Sequence, residues 1–407
     1  MKKIPGGVCA PKGFEAGGIR CGIKAAPGKK DLALILSEKP CAAAAVFTTN
    51  LVKSACVLVT REHTAGGTLR AVIANSGNAN ACTGEAGLAA AKRTAELAAG
   101  RLGIDAQEVA VASTGVIGVP LPVELIEAGM DSLAKSLSAD ETGHAAALDA
   151  IMTTDTRRKE IAVETEIGGV PVRIGGMAKG SGMIHPNMAT MLCFLTTDAA
   201  IPRETLDRLL RRAAARSFNR VTVDGDTSTN DMVILMANGA SGSHALDETG
   251  DGFAAFADAL DAVCVFLARA VAADGEGASR LVTVTVTGAA NEAAAETLAK
   301  AVASSNLVKT ACFGADANWG RILCAMGYSG AEFDPSGTGV RFKSAAGEIA
   351  VCAGGAPLPF SEEHAKTVLS RDEVEILIDC NGGGGSATVW TCDLTYGYVK
   401  INGDYRS

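Results

Sequence analysis

The densest chemistry in this sequence lies in the segment Lys179-Gly180-Ser181-Gly182-Met183-Ile184-His185-Pro186-Asn187-Met188-Ala189-Thr190-Met191-Leu192. A Gly-x-Gly stretch and an X-Pro turn deliver the small Ala189 directly into Thr190, which begins an apolar run over residues 190–197. A threonine hydroxyl is a weak nucleophile, but where a turn strains the preceding peptide bond it can attack that carbonyl. An N-to-O acyl shift followed by ester hydrolysis then splits the chain before Thr190. The α-amine released titrates near pH ~8, so it can act as general base for its own hydroxyl. One residue then supplies both nucleophile and base. Threonine is also common at strand starts, so spacing alone leaves a purely structural Thr190 open.

Positioning such a residue requires the elements around it. The near-continuous apolar character of 190–197 predicts a strand buried on both faces. Strands are predicted upstream at 31–37, 42–47, 56–60, 70–75 and 108–113, with helices over 84–102, 123–136 and 143–152. A hairpin of 161–166 and 171–174 turns at Gly168-Gly169. Downstream, the pattern predicts a helix over 203–216, strands at 220–224 and 232–237, and a helix over 252–273. A strand at 281–286 opens a second, smaller α/β unit with helices over 292–304 and 319–326 and strands at 374–379 and 387–391. The run Gly382-Gly383-Gly384-Gly385 precedes strand-like rather than helical sequence, so a hairpin or crossing loop is expected there, not a dinucleotide loop. No repeat or low-complexity linker separates the parts, which predicts two connected α/β layers.

Composition narrows the function classes. Of 407 residues, 48% are hydrophobic and 20% charged, which excludes a disordered or fibrous chain. The net charge of −8 and the lack of a basic stripe argue against nucleic acid as a partner. No apolar run reaches the roughly 18 residues of a membrane span. Twelve cysteines are scattered from Cys9 to Cys392 with no close pair, which reads as free, mostly buried thiols in a reducing cytoplasm. His63, His144, His244 and His364 sit in polar contexts where a solvated residue is expected, and His185 before Pro186 reads as a loop residue. None is spaced for metal binding. Phosphate-loop, H-E-x-x-H and G-x-S-x-G motifs are all lacking.

The whole 179–192 segment resembles the cleavage-site signature of the ornithine acetyltransferase family, the bifunctional glutamate N-acetyltransferases of arginine biosynthesis. The likeness continues through the blocks at 47–50, 75–84, 113–118, 152–156, 222–231, 274–279, 313–321 and 398–407. It implies an α/β fold of α+β type: an αββα sandwich of two sheets between helical layers, with a smaller C-terminal α/β unit. Residues 1–280 would form the larger catalytic domain and 281–407 the smaller one, whose tail returns to the active site. Cleavage between Ala189 and Thr190 would give chains 1–189 and 190–407, assembled as α2β2.

The resemblance also implies residue roles. Thr190 would carry the acetyl group in a ping-pong cycle from N-acetylornithine to glutamate. Thr114 and Gly115 would form an oxyanion hole from a side-chain hydroxyl and a backbone N–H. Thr153, in preference to Thr154, would bind substrate with Lys179, Glu276, Asn402 and Ser407. A lysine suits a substrate carboxylate and a glutamate an ammonium group. The family more often ends in threonine, and Ser407 keeps the hydroxyl. No metal or bound organic cofactor is implied, and acetyl-CoA is a candidate second donor. Two further readings stay open: a self-cleaving aminopeptidase or amidohydrolase in which water is the acceptor, and an amino-acid-binding module whose Thr190 is structural.

Overall fold

A computed structural model describes residues 1–185, 191–250 and 252–404. The strands are β1 (Lys2–Ile4), β2 (Phe14–Ile19), β3 (Leu32–Phe47), β4 (Thr68–Asn78), β5 (Val109–Val116), β6 (Lys159–Ile167), β7 (Val170–Lys179), β8 (Leu192–Thr197), β9 (Met232–Ala237), β10 (Leu281–Ala289), β11 (Gly339–Ser344), β12 (Gly347–Ala353), β13 (Ala356–Pro357), β14 (Glu373–Asp379) and β15 (Gly385–Cys392). The helices are α1 (Ala55–Ala65), α2 (Gly84–Leu102), α3 (Val123–Lys135), α4 (Glu141–Ile151), α5 (Arg203–Arg216), α6 (Phe253–Ala273), α7 (Glu292–Ser304), α8 (Asn306–Gly314), α9 (Trp319–Gly327), α10 (Glu362–Leu369) and α11 (Tyr396–Asp404). This is the mixed α/β class expected, with two sheets among the described residues.

The first sheet runs β1-β6-β7-β8-β9-β3-β4-β5, with β2 added to β3. Strand β3 joins its two halves. Leu32–Leu36 lies between β2 and β4, and past a register shift Ala42–Phe47 pairs with β9. The expected burial of the run after Thr190 on both faces is observed in β8, and its parallel neighbour β9 is buried in the same way. Leu192, Phe194, Met232 and Ile234 face one apolar core, shared with α1, α2 and α4. Cys193, Leu195, Val233 and Leu235 face another, closed by α5 and α6. The period-2 alternation of a strand thus serves two cores at once.

The second sheet, β13-β12-β11-β14-β10-β15, has its own core under α7, α9 and α10. Strands β14 and β15 flank β10, one parallel and one antiparallel, so glycines 382–384 belong to a loop crossing the end of β10 and Gly385 opens β15.

Three expectations are corrected. Residues 56–60 form part of α1, not a strand. Val57, Val59 and Thr60 favour β structure locally, yet Cys56, Val57, Thr60, His63 and Thr64 share a buried face, and Thr60 Oγ1 bridges the Val111 carbonyl and N–H at 2.7 Å each. Residues 220–224 are no strand either: Val221 makes an isolated bridge to Trp390, and Asp224 instead caps the loop leading to the site. His63 and His144 are buried rather than solvated. His63 Nδ1 lies 2.7 Å from the Val109 carbonyl, and His144 links the Val8 N–H to the Glu160 carboxylate at 2.5 Å. All twelve cysteines are free thiols, of which Cys82 and Cys324 are exposed.

Candidate functional site

The parallel pair β4 and β5 ends in register with Ser76 opposite Thr114 and Gly77 opposite Gly115, before an irregularity at Asn78. Gly115 has φ +134°, and a Cβ there would lie 2.4 Å from the Gly77 carbonyl carbon. Only glycine permits this approach of two backbones. The turn beyond is held by Asn78, whose Nδ2 donates to the carbonyls of Val119 and Pro120 at 3.1 Å each. Asn230 ties the same wall from the other side, donating to Ala79 O at 2.6 Å and Ser113 O at 2.8 Å. Thr114 and Gly115 therefore stand at a rigid strand end, lining a cleft of about 210 Å³.

The end of β7 supplies Lys179, whose buried ammonium lies 3.3 Å from Thr114 Oγ1. The chain that follows is pinned residue by residue. Gly180 N–H donates to Asp155 at 2.7 Å, Ser181 Oγ to the Asp274 carbonyl at 2.6 Å, and the N–H groups of Met183 and Ile184 to the Asp224 carboxylate at 2.6 and 2.8 Å. Met191 also lines the cleft. Ala189, Thr190 and Ser407 lie outside the described residues.

Glu276 closes the opposite wall. Its N–H donates to the Ser181 carbonyl at 3.0 Å, and its carboxylate accepts from Asn402 Nδ2 at 2.7 Å. A Cβ on Gly182 would lie 2.3 Å from that carboxyl group, so this glycine makes room for the acid. Asn402 stands on α11, which brings the C-terminal segment against the cleft. Thr153 and Thr154 both line it. Of the residues singled out from the sequence, the structure thus gathers Thr114, Gly115, Thr153, Lys179, Glu276 and Asn402 around one space.

Beneath them lies a charge network that no motif announced. Lys159 is fully buried, with its ammonium 2.7 Å from Asp155 and 2.5 Å from Asp274. Asp155 also accepts from the N–H of Thr153 at 2.9 Å, and Asp274 from the N–H of Thr156 at 3.0 Å and from its hydroxyl. Burial alone would push the Asp155 carboxyl up, but Lys179 and Lys159 outweigh it and hold it well below the ordinary carboxylate range. Burial in turn lowers Lys179, assisted by Lys159 and opposed by Asp155, Asp231 and Glu276. Asp155 and Asp274 belong to blocks quoted above for their family likeness. Lys159 carries no sequence signal beyond its place at the head of a strand.

Removing the cation should strand two buried carboxylates, so Lys159→Met is expected to cost about 3–5 kcal/mol at neutral pH. The Asp155 contribution is present above the unfolded carboxylate value of about 3.9 and is lost as pH falls through its depressed folded value. Denaturant midpoints for wild type and variant should therefore keep their separation from pH 7 down to about 4 and draw together only as pH falls below about 3.9 toward that depressed value. A gap independent of pH would contradict the network.

The lining charge is asymmetric. Among the described residues, Asp224, Asp226, Asp231 and Glu276 face one lining cation, Lys179. Burial raises Asp224, with Asp226 adding to the shift and three backbone N–H groups opposing it. Such a cleft offers one anchor for a carboxylate and several acceptors for an ammonium, at the scale of a single amino acid. Among the described residues, no group of three or more His, Cys, Asp or Glu is placed to hold a metal ion, and no helix is long and apolar enough to cross a membrane.

A sequence model of the ArgJ family matches residues 15–407. The chain is 54% identical over 408 residues to the arginine biosynthesis bifunctional protein ArgJ of Symbiobacterium thermophilum, covering 100% of both chains. It is 51% identical over 397 residues to the protein of the same name from Geobacter sulfurreducens, covering 97% of this chain and 99% of that one. Among solved structures, the ornithine acetyltransferase of Mycobacterium tuberculosis complexed with ornithine is 46% identical, covering 45% of this chain and 96% of the solved chain, with a TM-score of 0.43.

Proposed function

The chain belongs to the ArgJ family, and from that premise and the cleft geometry we propose that it transfers the acetyl group of N-acetylornithine to glutamate in arginine biosynthesis. The proposed carrier is the hydroxyl of Thr190, freed by self-cleavage after Ala189. The observation that supports this most directly is the convergence of Thr114, Gly115, Lys179 and Glu276 on one cleft with Met191, the residue adjoining Thr190.

In the first half-reaction the Thr190 oxygen attacks the acetyl carbonyl carbon while its proton passes to the Thr190 α-amine. The oxyanion formed is stabilised by the Thr114 hydroxyl and the Gly115 N–H. The C–N bond then breaks, the proton moves to the departing nitrogen, and ornithine leaves an acetyl ester on Thr190. In the second, the glutamate α-amine attacks that ester, its proton returns through the same amine to the Thr190 oxygen, and N-acetylglutamate departs. Lys179 suits the α-carboxylate common to both substrates. Glu276, held by Asn402, suits the side-chain ammonium of ornithine. The proposed mature form pairs chains 1–189 and 190–407 in an α2β2 assembly in the cytoplasm, a compartment in keeping with twelve free thiols.

Trapping tests the reading. The protein is mixed with N-acetylornithine alone, quenched and analysed by peptide mass. An acetyl group on a new N-terminal Thr190 peptide is expected, with one ornithine released per site, followed by N-acetylglutamate when glutamate is added. Free acetate without N-acetylglutamate would instead mark a hydrolase, and binding without acetylation a simple amino-acid receptor.

Glu276→Gln probes substrate recognition. Loss of a charged hydrogen bond worth about 1.5–3 kcal/mol should raise the KM for N-acetylornithine about 10- to 100-fold. The KM for glutamate, whose side chain carries no ammonium, should move less. Steady-state kinetics with each substrate varied in turn checks the split.

A further inference from the structure

Beside the cleft lies a second pocket of about 280 Å³ lined by Lys24, Lys29 and Lys30 together with Asp149, Thr153 and Asp155. Thr153 borders both spaces. The lysines stand on the connection between β2 and β3, and Lys24 is not a freely solvated chain. It is half-buried, and its ammonium donates to the carbonyls of Lys30 at 2.9 Å and Met152 at 2.6 Å. Two of its three donors are thereby fixed on the pocket wall.

The carboxylates nearby are already committed. Asp149 accepts two bonds from Arg158 at 2.7 and 2.8 Å. Asp155 is held by Lys159 and by backbone N–H groups. Asp31 accepts the N–H groups of Cys21, Gly22 and Lys24 at 2.6, 3.0 and 2.9 Å. Among the described residues, none of the three lysines makes an ion pair with a carboxylate. The acids at this pocket are thus engaged by Arg158, Lys159 and backbone N–H groups, which leaves the three lysines without an ion-pair partner among the described residues.

We propose that this pocket binds a phosphate-class oxyanion, held by Lys24, Lys29 and Lys30 and adjoining the acyl-transfer cleft at Thr153. Several ammonium groups around one space suit a tetrahedral dianion, which accepts from many directions, better than a planar carboxylate. The electrostatics carry a signature. Burial lowers the Lys24 amine to about 8, with Lys29 and Lys179 adding to the shift and Asp31 and Asp155 opposing it. An anion in the pocket favours the protonated amine, so binding near pH 8 takes up a proton. The phosphate group has two possible sources: a free phosphate compound, or the phosphates of a carrier whose acyl thioester reaches the cleft. Only the second rests on the acyl-transfer function proposed above.

Isothermal titration of the intact protein at pH 8, in two buffers of different ionisation enthalpy, tests the site with inorganic pyrophosphate and with coenzyme A. Saturable binding with net proton uptake is expected in about 0.15 M salt. The Lys29→Ala, Lys30→Ala double variant should bind at least about tenfold more weakly, since two charge-assisted contacts are lost. Lys24→Gln should abolish the uptake, with melting temperatures confirming that both variants fold. Binding of pyrophosphate as tight as that of coenzyme A identifies a free phosphate compound as the source. Tighter binding of coenzyme A, with acetyl-CoA-driven glutamate acetylation lost in the double variant while transfer from N-acetylornithine is kept, identifies the carrier. Failure of both probes to bind, or equal binding by the double variant, overturns the site. Proton-linked binding in a protein that transfers no acetyl group would refute the acyl-transfer reading and leave the pocket standing.

Discussion

Thr190→Ala is expected to leave the protein as one uncut chain and to lower acetyl transfer by about 10⁴-fold or more, the scale on which loss of a nucleophile acts in acyl-transfer enzymes. Two functions vanish together. Without the hydroxyl there is no N-to-O shift at the 189–190 bond, and without cleavage there is no free α-amine to accept the proton. Thr190→Ser restores a hydroxyl and should recover both cleavage and turnover, because the chemistry requires the oxygen rather than the methyl group. Intact-mass measurement and initial rates on the same preparations separate the cases. An uncut Thr190→Ala protein that still produced N-acetylglutamate at a substantial rate would eliminate the proposed intermediate.

The second large effect is expected at Thr114. Thr114→Val keeps the side-chain shape and the strand register with Ser76, and removes only the hydroxyl. Loss of one oxyanion-hole donor costs roughly 10²–10³ in kcat. KM should change little, because the oxyanion develops after binding. Lys179 stands 3.3 Å from the lost oxygen, so its ammonium can turn partly toward the intermediate and keep the loss nearer the lower bound. Stopped-flow measurement of ornithine release isolates the first half-reaction. A rise in KM at unchanged kcat would assign Thr114 to substrate holding instead.

The sequence was legible where local pattern and tertiary environment agree. The Ala- and Leu-rich stretch 84–102 is the helix α2, and the amphipathic stretch 203–216 is α5. The apolar runs expected at 190–197 and 232–237 hold the strands β8, from Leu192 to Thr197, and β9, both with two buried faces. Legibility failed where packing overrides propensity. Residues 56–60 have the β-branched content of a strand, but burying one face against β5 favours a helix, and only the neighbouring strand decides that. Beyond residue 304 the local pattern is weaker. Helices α8, α10 and α11 are short, and short helices depend on capping and docking more than on periodicity; Ser305 and Ser361 cap two of them.

What the sequence determined by itself was a list of reactive residue types in recognisable blocks, from Thr114-Gly115 through the 179–192 segment to the tail, and with it the family. Short-range order suffices for that, because motifs are contiguous. The tertiary structure alone decided which of them share a space. It brings Lys179 to Thr114, Asn402 to Glu276, and Lys159 between Asp155 and Asp274, pairs separated by up to 126 positions along the chain. It also decided the protonation balance of the site, since burial and neighbouring charge, not residue type, depress Asp155 and lower Lys179 together. Coulombic coupling depends on through-space distance in a low-dielectric interior, and the linear order of residues carries no measure of it.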